Sequence, residues 1–87
     1  MNPFILQMVN HKLNTITKDE LIQLAKQYQF KITENQARKI ITILRSEVIN
    51  VTNLKQRERI LGKIKQQVDA QTERKMNEML KQYDQYL

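Results

Sequence analysis

The chain has 87 residues, of which 40% are hydrophobic and 28% charged, with one glycine, one proline and no cysteine. This length allows one modest hydrophobic core, and the scarcity of turn residues argues against strands and against a disordered tail. The lack of cysteine excludes a disulfide framework and thiolate chemistry, and it agrees with a reducing, cytoplasmic location.

The first predicted element is a helix that begins with Asn2 as its N-cap and Pro3 at the first helical position, and that ends near Leu13. Apolar residues cover more than half of its circumference: Phe4, Ile5, Leu6, Met8 and Val9. This pattern predicts a helix that is either central to the core or docked into a partner. The apolar run is interrupted at Gln7 and has no basic region before it, so we expect neither a signal peptide nor a membrane span.

Two capping boxes mark the starts of the second and third helices. Thr17 is followed three residues later by Glu20, and Thr33 is followed by Gln36. In such a box the threonine hydroxyl accepts from the backbone N–H three residues on, and the Glu or Gln side chain accepts from the N–H of the threonine. The spacing therefore predicts helix starts at 17 and 33.

The second and third helices are expected to pack on each other, because only about three residues connect them. Three-and-four spacing predicts these buried residues: Leu21, Leu24, Ala25 and Tyr28 on the second helix, and Ala37, Ile40, Ile41, Leu44 and Val48 on the third. The pair is similar to a DNA-binding helix-turn-helix. It departs from that motif in having Gln29 where the turn usually has glycine, and in a longer gap before Thr33.

The run from 49 to 53 is expected to end the third helix, with Asn53 or Thr52 capping a fourth helix from Leu54 to Val68. A fifth helix is predicted to begin near Thr72. The apolar residues of these two helices are Ile60, Leu61, Ile64 and Val68, and then Met76, Met79, Leu80, Tyr83 and Leu87. No glycine or proline enforces a break near 69 to 71, so a single helix from 54 to 86 is the alternative to the break that we favour.

The sequence therefore predicts one all-α domain over residues 1–87, a small bundle of four or five short helices built around the helix-turn-helix-like hairpin. Segments spread over nearly the whole chain carry a family resemblance: Met1-Asn2-Pro3, Asn14-Thr15-Ile16-Thr17, Leu24-Ala25-Lys26-Gln27-Tyr28, Thr33-Glu34-Asn35-Gln36-Ala37, Leu44-Arg45 and the arginines at 57 and 59. In these the chain resembles a small family of bacilli that is classed as a domain of unknown function. The chain departs from that family at Asn50-Val51-Thr52, where the family tends to have Asn-Ile-Phe, and in lacking a glycine or proline near 69 to 71. The resemblance implies no activity, cofactor or partner.

The positive charge of the chain is concentrated in residues 38 to 65, which hold eight lysines and arginines and two glutamates. That excess of six equals the net charge of the whole chain, +6. Basic side chains form two stripes on a helical wheel, and two such stripes beside a groove suit the phosphates of a nucleic acid. The candidate nucleic-acid-binding residues are Arg38, Lys39, Arg45, Lys55, Arg59 and Lys63.

The inventory of reactive side chains is poor for an enzyme. The one imidazole is His11, the one serine is Ser46, and no acid lies three or four residues from His11. We therefore predict no catalytic residues, no metal, no cofactor and no small-molecule substrate.

Protein interaction, including self-association, is the function that the sequence favours, because an apolar excess at both ends exceeds what a small core needs. The candidate interface residues are Phe4, Met76, Met79, Leu80 and Tyr83. The alternative function is DNA or RNA binding through the basic region 38–65. A membrane partner is not expected, because the basic fourth helix has no aromatic anchor.

Overall fold

Five α-helices and a short C-terminal turn make up the computed structural model, which describes residues 3–86 apart from the side chain of Pro3. The helices are α1 (Pro3–Thr15), α2 (Lys18–Gln27), α3 (Glu34–Arg45), α4 (Leu54–Gln67) and α5 (Ala70–Lys81), and the 3-10 turn is Asp84–Tyr86. Residues 3–86 contain no strand, so the all-α class is confirmed. The predicted N-cap Asn2 and the stripe residue Leu87 lie outside the described residues.

Both capping boxes are present, and both predicted helix starts are confirmed. Thr17 Oγ1 accepts from the N–H of Glu20 at 3.2 Å, and Glu20 Oε1 accepts from the N–H of Thr17 at 3.0 Å. The corresponding distances between Thr33 and Gln36 are 3.1 and 2.8 Å. Each box satisfies two backbone donors that the first turn of a helix leaves without partners.

A Schellman motif ends α2. The N–H of Phe30 donates to the carbonyl of Ala25 at 3.0 Å, and the N–H of Gln29 donates to the carbonyl of Lys26 at 3.0 Å. Gln29 has a φ of 64°, the left-handed conformation that glycine usually provides at this position. α2 and α3 pack on each other as predicted. The closer likeness to a DNA-binding helix-turn-helix stays a prediction.

The break between α4 and α5 is confirmed, and the single long helix is wrong. Val68 leaves the helical region, with φ −114° and ψ −89°, and Asp69 caps α5 by accepting from the N–H of Thr72 at 2.6 Å. The second carboxylate oxygen of Asp69 accepts from Gln36 Nε2 of α3 at 3.0 Å. This contact across the fold fixes the helix start at Ala70, two residues before the predicted Thr72.

Side-chain amides hold the connection between α3 and α4 against α1. Asn14 Nδ2 donates to the carbonyl of Ile49 at 2.9 Å, and Asn14 Oδ1 accepts from the N–H of Ile49 at 2.8 Å. One helical turn earlier, Asn10 Oδ1 accepts from the N–H of Val51 at 2.7 Å. Because Ile49 and Val51 are both buried, these amides fix a non-helical segment inside the core.

A third amide, that of Gln56, closes the same connection from the side of α4. Gln56 is 8% exposed; its Oε1 accepts from the N–H of Asn50 at 2.8 Å, and its Nε2 donates at 2.8 Å to the carbonyl of Val48 and to Glu47 Oε1. The hydrogen bond from Gln56 Nε2 to Glu47, together with the guanidinium of Arg59, holds the pKa of Glu47 below its usual range. The connection is therefore anchored by amides from both sides.

The core largely matches the predicted set and differs from it on α3. Val48 was expected inside but is 82% exposed, because α3 ends at Arg45 and its helical spacing stops before residue 48. Ile43 is also buried, although the prediction left it out; it lies at the edge of the predicted stripe, three residues after Ile40. The reason is that α3 packs against α1, α2 and α4, so that more than one of its faces is covered. Tyr28, also expected inside, is exposed.

The core encloses an apolar cavity of about 60 Å³, bordered by Val51 among others. The family that the chain resembles tends to have isoleucine at this position. We expect Val51→Ile to place one more methylene in the cavity and to raise the free energy of unfolding by about 1 kcal/mol, measured by urea titration. Val48→Ile is the matched control and should change stability by less than about 0.5 kcal/mol, because Val48 is exposed. A loss of stability in Val51→Ile would mean that the cavity is too narrow for the added carbon.

Candidate functional site

The five candidate interface residues do not lie together on the surface. Met76 is buried in the core, Met79 borders the core cavity, and Leu80 packs against the core cluster. Phe4 on α1 is 68% exposed, and it borders an open groove together with Tyr83, which follows α5. The structure thus brings Phe4 and Tyr83 to one surface and places the other three in intramolecular packing.

We call this surface the α1 groove. It is bordered by the apolar residues Phe4, Ile5, Met8 and Val9, by the polar residues Gln7, His11 and Lys12, and by Tyr83. Phe4 and Met8 are four residues apart, so they project from the same face of α1, and Met8 is 56% exposed. Ile5 and Val9 are half-buried beside them. Two large apolar side chains on adjacent turns therefore face solvent. The helical spacing of Met8 from Phe4 is the signal that could have added it to the candidate set.

The opposite side of α1 is fixed by the rest of the fold, and this determines which face is exposed. Leu6 is buried and Leu13 packs against the core cluster, while Asn10 and Asn14 bind the connection between α3 and α4. α1 also contacts the C-terminal turn, which brings Tyr83 to the edge of the groove. The exposed apolar face is therefore left over after both the core and the amide contacts of α1 are complete.

The charge at the groove is offset within the chain. Lys12 forms an ion pair with Glu20 of α2. The hydrogen bond from Lys12, followed by that from the Thr17 backbone, lowers the pKa of Glu20 to about 2. Glu20 is therefore ionised at neutral and mildly acidic pH, where it offsets the charge of Lys12. Burial raises the pKa of Tyr83, so its phenol is neutral there too.

Part of the basic region is engaged in holding the fold. Arg45 donates to the carbonyl of Ile16, Arg59 pairs with Glu47, and Arg38 pairs with Glu34 at 3.4 Å. Arg57 was not among the candidates. Its side chain is only 9% exposed, and its Nη1 lies 2.6 Å from Asp84 of the C-terminal turn. Arg45, Arg57 and Arg59 tie α3 and α4 to other segments, whereas Arg38 pairs within α3. These arginines therefore offer less free charge than the sequence predicts.

Lysines supply the remaining basic surface. Among residues 3–86, no carboxylate lies within 4.0 Å of the ammonium groups of Lys39, Lys55, Lys63 and Lys65. Three of the four are on α4, which carries five basic residues and one acid. The candidate residues Lys55 and Lys63 thus stay available for an anionic partner, and Lys39 lies apart from them on α3.

Gly62, the one glycine of the chain, interrupts the exposed face of α4. A Cβ added at Gly62 would meet no atom within 4 Å. We expect Gly62→Ala to raise the free energy of unfolding by about 1 kcal/mol, because alanine restricts the unfolded chain and favours the helix, and thermal unfolding would show it. Gln66→Ala, one turn further along α4, is the control and should change stability by less than about 0.5 kcal/mol. An unchanged or lowered stability in Gly62→Ala would contradict the open space around this position.

Two further properties bear on function. Within the part of the chain that the structure describes, no three His, Asp or Glu side chains are grouped so that they could hold a metal ion. None of the described helices is both long enough and apolar enough to cross a bilayer.

The sequence is similar to proteins of one family. A family model described as "Protein of unknown function (DUF2624)" matches residues 1–84. The chain is 29% identical over 77 residues to the uncharacterized protein YqfT of Bacillus subtilis (strain 168), an alignment that covers 88% of this chain and 92% of the relative. No solved structure matches the chain.

Proposed function

The chain belongs to the DUF2624 family, and we propose that it acts as a protein-interaction module whose binding surface is the α1 groove. One observation carries the proposal: Phe4 and Met8, 68% and 56% exposed, form a continuous apolar face on adjacent turns of α1. Burying a side chain of this size is worth about 1.5–3 kcal/mol. A partner that covers both would gain most of that free energy.

The apolar face of α1 cannot instead be buried in the core of the same chain. The inner side of α1 already supplies Leu6 to the core, and the amides of Asn10 and Asn14 hold α1 in its present rotation. Turning Phe4 inward would break these hydrogen bonds. The apolar face is therefore oriented outward by the fold itself, as an interaction surface requires.

Site-specific photo-crosslinking tests the proposal. A photoreactive phenylalanine analogue replaces Phe4 in cells that make the chain, and we expect one discrete cross-linked species. Adding Met8→Lys should remove that species, because a charge would then stand in the apolar contact. The matched control carries the analogue at Val48, which is 82% exposed but lies in the connection between α3 and α4. No cross-link from position 4, or equal cross-links from both positions, would contradict the proposal.

A second candidate function is nucleic-acid binding by α4. It is favoured by Lys55, Lys63 and Lys65, because among residues 3–86 no carboxylate lies within 4.0 Å of their ammonium groups. Three phosphate contacts predict a slope of about −3 for the logarithm of the affinity for duplex DNA against that of the salt concentration. Fluorescence anisotropy with duplex DNA and single-stranded RNA measures this slope.

The control for that experiment is a variant of equal net charge. Lys55, Lys63 and Lys65 are changed to glutamine in one variant, and the exposed Lys26, Lys31 and Lys81 are changed in the other. Binding by α4 predicts a loss in the first variant alone. An equal loss of affinity in both variants would mean that binding depends only on net charge. Unchanged affinity in the variant at 55, 63 and 65 would exclude α4 as the binding site.

A further inference from the structure

We infer that the α1 groove binds a second copy of this chain, with the two α1 helices antiparallel about a two-fold axis that passes between Phe4 and Met8. The inference rests on the proposed function, because it names the occupant of the same groove.

The first argument is that this face is complementary to itself. In a two-fold interface, each residue of a contacting pair occurs on both sides, so the pair forms twice. Phe4 and Met8 lie on one face and one turn apart. Antiparallel α1 helices therefore place Phe4 of each copy against Met8 of the other. A flexible thioether beside an aromatic ring is a favourable contact, and it adapts to the shape of the ring.

The second argument is local charge. Besides Lys12, the polar residues of the groove are Gln7 and His11; no acidic residue among residues 3–86 borders it, and Lys12 is paired with Glu20. An acidic partner would find no unpaired lysine among the described residues of the groove, and a second copy would meet only a lysine whose charge Glu20 already offsets. The local electrostatics therefore favour a neutral apolar surface, which a second α1 provides.

The third argument is the net charge, which fixes the sign of the salt dependence. Each copy carries +6, so two copies repel one another until salt screens the charges over about 8–10 Å. Self-association through the α1 groove should therefore become stronger as salt is added. Binding of an acidic protein or of a nucleic acid would become weaker.

The size of the surface sets the expected strength. α1 has 13 residues and is about 20 Å long. A contact along this length, with Tyr83 at its edge, falls below the roughly 1,200 Å² of a standard stable interface. The dimer is therefore weak, and it forms in the micromolar to millimolar range.

Sedimentation velocity of the purified 10.5 kDa chain tests the inference. The dimer fraction should rise between about 10 μM and about 1 mM protein, and it should rise again when sodium chloride is raised from about 50 to about 300 mM. Met8→Lys should weaken association by about tenfold or more, the usual effect of truncating or charging the centre of an interface. Val48→Lys adds the same charge on another surface and should leave association unchanged.

A pair of cysteine variants tests the antiparallel orientation, because the chain has no cysteine of its own. A mixture of Phe4→Cys and Met8→Cys chains should form the mixed disulfide faster than either chain alone forms a symmetric one. That mixed pair keeps one Phe4–Met8 contact on the other side of the axis. Faster symmetric disulfides would indicate parallel helices and would overturn the inferred geometry.

The remaining outcomes separate the inference from the proposed function. A chain that is monomeric at all concentrations, or that associates less as salt rises, overturns the second copy as occupant. If the cross-link from position 4 then has the mass of a different protein, the proposed function stands without the dimer. If position 4 gives no cross-link and the chain is monomeric, both fail.

Discussion

Replacing Asn14 by alanine is expected to lower the free energy of unfolding by about 3 kcal/mol, because its amide makes three hydrogen bonds to the backbone, two of them to the buried, non-helical Ile49. Its Nδ2 donates to the carbonyls of Asn10 at 2.8 Å and Ile49 at 2.9 Å, and its Oδ1 accepts from the N–H of Ile49 at 2.8 Å. Ile49 is buried, so water reaches its backbone poorly. The loss is a large part of the roughly 5–15 kcal/mol that stabilises a small domain.

Urea unfolding followed by circular dichroism measures this loss, and the melting temperature should fall by about 15 °C. Asn35→Ala is the matched control, since Asn35 is exposed in the first turn of α3, and it should change stability by less than about 0.5 kcal/mol. Asn14→Asp should lie between the two, because a carboxylate still accepts from Ile49 but has no N–H to donate. If Asn14→Ala behaves like the control, water has replaced the amide and the connection does not depend on it.

The helix starts were predictable because the residues that decide them are adjacent in the sequence. Each capping box needs only a threonine and the residue three positions later, and both boxes formed as predicted. The start of α5 was displaced because its capping residue, Asp69, also binds Gln36, which is 33 positions away. A contact between residues so far apart cannot be predicted from a local sequence pattern.

The candidate surface was only partly predictable, for the same reason. The sequence shows more apolar residues on α1 and in the C-terminal stripe than one small core needs, but the crossing of the helices decides which are left over. Met76 enters the core, whereas Phe4 stays outside. The same holds for the basic residues. Arg45 and Arg57 belong to the basic region in the sequence, but in the fold they bind the carbonyl of Ile16 and the carboxylate of Asp84, which are 29 and 27 positions away.

The amide contacts of α1 had a recognisable signal that was missed. Asn10 and Asn14 are four residues apart on a helix whose apolar residues cover more than half of its circumference, and polar residues that face inward need partners. The run around Ile49 and Val51 offers unpaired backbone groups two residues apart. Matching polar residues on a helix with an irregular apolar segment could therefore have predicted this contact.

Replacing Gln56 by leucine is expected to lower the free energy of unfolding by about 2–3 kcal/mol. Leucine keeps much of the volume of the buried side chain but leaves the N–H of Asn50 and the carbonyl of Val48 without their partner at 2.8 Å. The variant also removes the hydrogen bond that does most to lower the pKa of Glu47. Two independent measurements therefore report on the same residue: urea unfolding for the stability, and an NMR titration for the pKa of Glu47, which should rise.

The two measurements distinguish the loss of the amide from a general loosening of the fold. A carboxylate whose pKa is lowered in the folded state contributes stability above the usual pKa of a glutamate. That contribution is lost as the pH falls through the lowered pKa. The stability deficit of Gln56→Leu should therefore shrink on acidification, since the wild type loses the Glu47 contact there too. Gln66→Leu changes the same residue type on the exposed face of α4 and should alter neither quantity. A deficit that stays constant with pH, while the pKa of Glu47 does not move, would mean that Arg59 rather than Gln56 holds this carboxylate in place.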